Sequence, residues 1–147
     1  MARRMDYNKV TPEAMNIMMS MDTYIKLTEI DPALIELIKI RVSQVNGCAF
    51  YLNLHTAEGR KMGETEQRIY CVSVWEECTF YTEEEKAALE LAEHVTMVSN
   101  MRVPDSLYNH IRRYYGEKDY ADLVFMINQI NIWNRLSIAM GNEVNLK

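Results

Sequence analysis

A thiol, a phenol and an imidazole stand at Cys48, Tyr51 and His55, at offsets of three and four residues. On an α-helix these spacings place all three on one face. Asn46-Gly47 immediately before them is a helix stop, so Cys48 falls at the start of the next helix. There the helix dipole and the free backbone N–H groups favour a thiolate, the nucleophilic form of cysteine. Cys48 is thus the candidate nucleophile and His55 the candidate base. Seven residues at about 1.5 Å each separate them by roughly 10 Å along the axis, too far for a direct hydrogen bond. Tyr51 lies between, and its hydroxyl or a water could bridge. A purely structural role fits the same spacing: a small buried Cys48, a packing ring at Tyr51 and a satisfied core histidine at His55. From the residues alone both readings stand.

The elements that must position these groups read as helices throughout. Thr11-Pro12-Glu13 predicts an N-cap followed by proline at the first helical position, with the helix running to about Glu29. Asp31-Pro32 repeats that signal and opens a helix through Val45. The next carries Cys48 to about Met62 and stops at Gly63. A short one covers Thr65 to about Trp75. Thr82 with Glu85 forms a capping box, opening a helix whose Ala88, Leu91, Ala92, Val95 and Val98 line one face. Pro104-Asp105 begins another, closed by Gly116, and the last runs from about Tyr120 to Met140. No window alternates with period two, so no sheet is expected. The helix over 32–45 is apolar around nearly its whole circumference, which marks it as buried. Its polar residues Glu36, Lys39 and Ser43 fall on one stripe, either a narrow solvent face or the lining of a polar site.

Composition limits the classes of function. The 147 residues suit one domain over 1–147. A net charge of -5 argues against a nucleic-acid partner. No stretch is long and apolar enough to span a bilayer, and no apolar run follows Arg3-Arg4 as a secretory signal would require. A cytoplasmic protein is expected, with Cys48, Cys71 and Cys78 as thiols. Cys71, beside Ile69 and Val72, reads as core. Cys78 lies in the Glu76-Glu77-Cys78 loop, where carboxylates would raise its pKa. The eleven methionines fit an adaptable core and an oligomer interface. His94 and His110 are isolated, no ligand pair stands at zinc spacing, and no glycine-rich phosphate loop is present. No metal or cofactor is expected.

The run from Leu34 to Phe50, with His55-Thr56 after it, resembles the carboxymuconolactone decarboxylase-like family, and within it the alkylhydroperoxidase (AhpD-like) branch. The likeness extends to Arg4-Met5-Asp6-Tyr7, Gly63 to Arg68, and Asn131-Ile132-Trp133-Asn134-Arg135. It implies an all-α AhpD-like bundle of about six to seven helices, assembled as a trimer or hexamer. Peroxidases of this type carry a glutamate, a Cys-x-x-Cys pair and, after three intervening residues, a histidine. Glu36, Cys48 and His55 match three of these, while Tyr51 replaces the second cysteine. In the family the second cysteine attacks the peroxide and the first resolves it as a disulfide, so this chain keeps the resolver's position and lacks the attacker's. The resemblance also moves Glu36 to the site, where glutamate, histidine and water would relay protons.

Three functions follow from this resemblance. The first is a peroxiredoxin-type thiol antioxidant enzyme, an oxidoreductase in which Cys48 is oxidised by a hydroperoxide and rescued by an external thiol, Cys71 or Cys78. The second is a non-redox enzyme of the decarboxylase type, using His55, Tyr51 and Glu36 as acid–base groups on a small lactone-like acid. The third is a non-catalytic binding or assembly protein on the same fold.

Overall fold

A computed structural model describes residues 3–145. Helices α1 (Tyr7–Val10), α2 (Pro12–Lys26), α3 (Pro32–Val45), α4 (Ala49–Lys61) and α5 (Glu66–Cys71) lead into a 3-10 segment (Val72–Glu77). Then come α6 (Glu83–Thr96), α7 (Val98–Met101), α8 (Asp105–Ile111) and α9 (Glu117–Met140). The described residues contain no strand, as the missing period-two pattern predicts. Among them no helix is long and apolar enough to cross a membrane.

Helix α3 sits at the centre, against α4, α6 and α9. Leu37, Ile38, Ile40 and Val42 are completely buried, which accounts for a helix apolar on nearly every side. They meet Ala87, Ala88, Leu89, Leu91 and Ala92 of α6 and Leu123, Met126, Ile127 and Ile130 of α9. The polar stripe does not face solvent: Ser43 is fully buried and Glu36 and Lys39 are half-buried. Asp31 starts α3 by accepting from Ala33 N–H at 3.0 Å.

Several expected boundaries move, each for a local reason. Thr11 does not cap α2, because its hydroxyl donates to the Tyr7 carbonyl at 3.0 Å. Gly116 begins α9 as its N-cap rather than closing α8, which ends at Ile111. The Thr82–Glu85 capping box forms as read. The chain then kinks at Met97, so Val98 leaves the buried face of α6 and is exposed. The region 65–75 splits into α5 and the 3-10 segment. Cys71 is only partly buried, not core.

Candidate functional site

The turn between α3 and α4 builds the site. Gly47 adopts φ +63°, the left-handed conformation that glycine takes without strain. Gly47 N–H donates to Gln44 O at 3.1 Å and Cys48 N–H to Ser43 O at 2.9 Å, the paired bonds of a Schellman motif. Cys48 is also the N-cap of α4. One residue therefore closes one helix and opens the next, and this sets how α4 returns along α3. Asn46 locks the turn to α9, its Nδ2 donating to Asn131 Oδ1 at 2.9 Å and Asn134 Oδ1 at 3.0 Å. Asn134 in turn donates to Ser43 Oγ at 3.2 Å, and Asn131 to Thr96 Oγ1 at 3.0 Å.

The antiparallel return brings Glu36 and His55 together, His55 Nδ1 lying 2.8 Å from Glu36 Oε2. Lys39 Nζ is 3.6 Å from the other carboxylate oxygen. Burial pushes the Glu36 carboxyl up, but the His55 hydrogen bond and charge, with Lys39, outweigh it and hold the group below its ordinary value. An ionised carboxylate only accepts, so Nδ1 carries the proton. Nε2 has no hydrogen-bond partner among the described residues and is the nitrogen left to exchange a proton.

Tyr51 stacks on the His55 ring, with centroids 5.8 Å apart and planes 20° apart. Trp133, at 6.0 Å, and Phe50, at 5.1 Å, complete an aromatic wall. The Tyr51 hydroxyl bonds to neither His55 nor Cys48. Burial first, then Tyr7, Asp22 and Cys48 around it, push its pKa well above the ordinary phenol range. Asp22 is oriented by Trp133 Nε1, at 3.2 Å from both carboxylate oxygens, and by Gln129 Nε2 at 3.3 Å. Cys48 is 1% exposed and borders a cleft of about 560 Å³ lined also by Gly47, Phe50, Ser137 and Asn142.

All four sequence candidates thus line the α3–α4 crossing. Glu36 and His55 are in direct contact, Tyr51 stacks on His55, and Cys48 lies at the far end of the same helix face. No described residue bridges Cys48 to His55 by hydrogen bonds. Asp22, Trp133 and the asparagine network were not singled out for the site. The signal in α9 was available, since Asn131 and Asn134 fall on the face that carries Leu123, Ile127 and Ile130; Asp22 lies on an ordinary amphipathic helix and gives none. No group of three or more His, Cys, Asp or Glu suited to a metal is found among the described residues.

The model of the carboxymuconolactone decarboxylase family matches residues 12–94. The uncharacterized protein YdfG of Bacillus subtilis is 59% identical over 143 residues, 97% of each chain. A crystal structure from Agrobacterium tumefaciens, of a protein of unknown function provisionally assigned to antioxidant defence as AhpD, superposes with a TM-score of 0.94. It is 32% identical, covering 99% of this chain and 100% of that one. The debrominase Bmp8 superposes with a TM-score of 0.84 at 19% identity, over 93% of this chain and 74% of that one; it shares the fold. With its all-helical architecture, its family match and these relatives, the chain belongs to the carboxymuconolactone decarboxylase family, among its AhpD-like members.

Proposed function

We propose that the protein is an AhpD-like thiol peroxidase working with one motif cysteine, and that the whole chain acts as a single domain in a homo-oligomer. The Glu36–His55 hydrogen bond carries this reading. It keeps a proton-exchanging imidazole on the helix that begins with Cys48. A hydroperoxide would reach Cys48 through the cleft over Gly47 and Ser137. The thiolate sulfur takes the outer oxygen, the O–O bond breaks, and the alcohol leaves with a proton relayed from His55. Two external thiols then reduce the sulfenic acid, releasing water and a disulfide. Tyr51 cannot resolve the sulfenate as a second cysteine would, so the reductant comes from outside the motif.

A non-redox reading has one observation in its favour: the Glu36–His55–Tyr51 set is assembled without any hydrogen bond to Cys48. It would serve proton transfer on a small organic acid. The comparison that separates the two uses Cys71→Ser/Cys78→Ser, in which Cys48 is the sole thiol. Peroxidase chemistry predicts that this variant consumes hydroperoxide with dithiothreitol, and that adding Cys48→Ser abolishes turnover. Equal rates with and without Cys48 would remove the peroxidase reading.

A further inference from the structure

Cys71 and Cys78 are not part of the α3–α4 site. Cys71 is the last residue of α5, and Cys78 caps the 3-10 segment that follows. An unbroken 3-10 helix rises about 2 Å per residue and would hold positions seven apart roughly 14 Å from one another. This segment is broken. Val74, at φ −125° and ψ 31°, leaves helical geometry and kinks the segment. Cys78 Sγ then lies 3.5 Å from the Val74 carbonyl, to which it donates. The Cys78 thiol comes close enough to Cys71 to feel its charge. Both are partly exposed, whereas Cys48 is buried.

The surroundings give the pair a direction. Gln67 Nε2, one turn earlier on α5, donates to Cys71 Sγ at 3.8 Å. Cys78 is held as the protonated partner: burial first and the Cys71 thiol next push it above its ordinary pKa, with Glu77 a smaller contributor.

We propose that Cys71 and Cys78 are a second redox site, a dithiol that a hydroperoxide closes to a disulfide and a small thiol reopens. The Cys71 thiolate attacks the outer peroxide oxygen, the O–O bond breaks, and the alkoxide leaves as alcohol with a proton from solvent. The Cys78 sulfur then attacks the Cys71 sulfenic acid. The S–O bond breaks, and hydroxide leaves as water with the Cys78 proton. Two thiols and one hydroperoxide thus become one disulfide, one alcohol and one water. The closed ring contains Trp75, whose indole N–H donates to Glu93 Oε1 at 2.8 Å. Arg41 of α3 donates to the same oxygen at 2.6 Å.

The test needs no knowledge of Cys48. Trypsin cuts after Arg68 and Lys86 and nowhere between them, so both sulfurs lie in one peptide, 69–86. Cys48→Ser is treated with one equivalent of hydrogen peroxide, alkylated and digested. The expected product is an unalkylated 69–86 peptide lighter by two hydrogen atoms, restored by dithiothreitol, with a matching change in Trp75 fluorescence. Cys71→Ser or Cys78→Ser in that background should abolish it. A 69–86 peptide that stays doubly alkylated, or that gains oxygen on one sulfur without closing, overturns the proposal. Because Cys48 is absent from this experiment and alone in the previous one, the two proposals fail separately.

Discussion

At the scale of single residues, Glu36 and Tyr51 carry the testable content of the site. The folded-state pKa of Glu36 lies below its ordinary 4.5. The stability it contributes is therefore complete above pH 4.5 and is lost as pH falls through the folded-state value. Glu36→Gln should lower stability at neutral pH, and its deficit against the parent should shrink as the solution is acidified. Urea unfolding at several pH values measures this; a pH-independent deficit would mean that Glu36 contributes by packing alone. Tyr51→Cys places a thiol where the family carries its second cysteine. It should raise hydroperoxide turnover at least about tenfold if one missing group limits the proton-and-thiol chemistry, read with dithiothreitol as reductant. The cost is a gap in the aromatic wall between His55 and Trp133, visible as a lower melting temperature.

At the scale of elements, the turn from α3 to α4 decides whether those residues meet. Nothing lies within 4 Å of a Cβ placed on Gly47, so Gly47→Ala is penalised only by its positive φ, about 1–2 kcal/mol. Asn134 is fully buried, and Asn134→Ala leaves the Asn46 and Ser43 groups short of a partner, costing about 1–3 kcal/mol. Denaturant midpoints measure both. Helices with a cap and several turns of periodicity were legible in advance: α3 runs from the proline after Asp31 to the residue before Asn46, and α6 starts at its capping box. One-turn pieces such as Tyr7–Val10 and Val98–Met101 are too short to show a period. The polar stripe of α3 was visible as a pattern, but its meaning depended on which helix lay over it. The contact of Glu36 with His55 spans two helices and could be reached only through the family likeness. That of Cys71 with Cys78 depends on a kink at Val74 with no glycine or proline to announce it.

At the scale of the whole molecule, several apolar side chains have no cover from this chain. Phe125 and Ile132 lie seven residues apart on the outer side of α9, and Ile17 and Leu27 are exposed on and just after α2. A surface of that kind suits association with further copies. Sedimentation should give a mass that is a multiple of 17.2 kDa, and Phe125→Glu with Ile132→Glu should lower it; a monomeric parent chain would refute this. The asparagine lock on the central turn has a further consequence, for how the molecule ages. Asn-Gly is the dipeptide whose side-chain amide is most readily attacked by the following backbone nitrogen, closing a succinimide that opens to aspartate or isoaspartate. In the folded chain the Gly47 nitrogen is engaged with Gln44 and the Asn46 amide is bound to two side chains of α9. Cyclisation is thus confined to chains that have opened, and isoaspartate at position 46 becomes a chemical record of the time a molecule has spent unfolded.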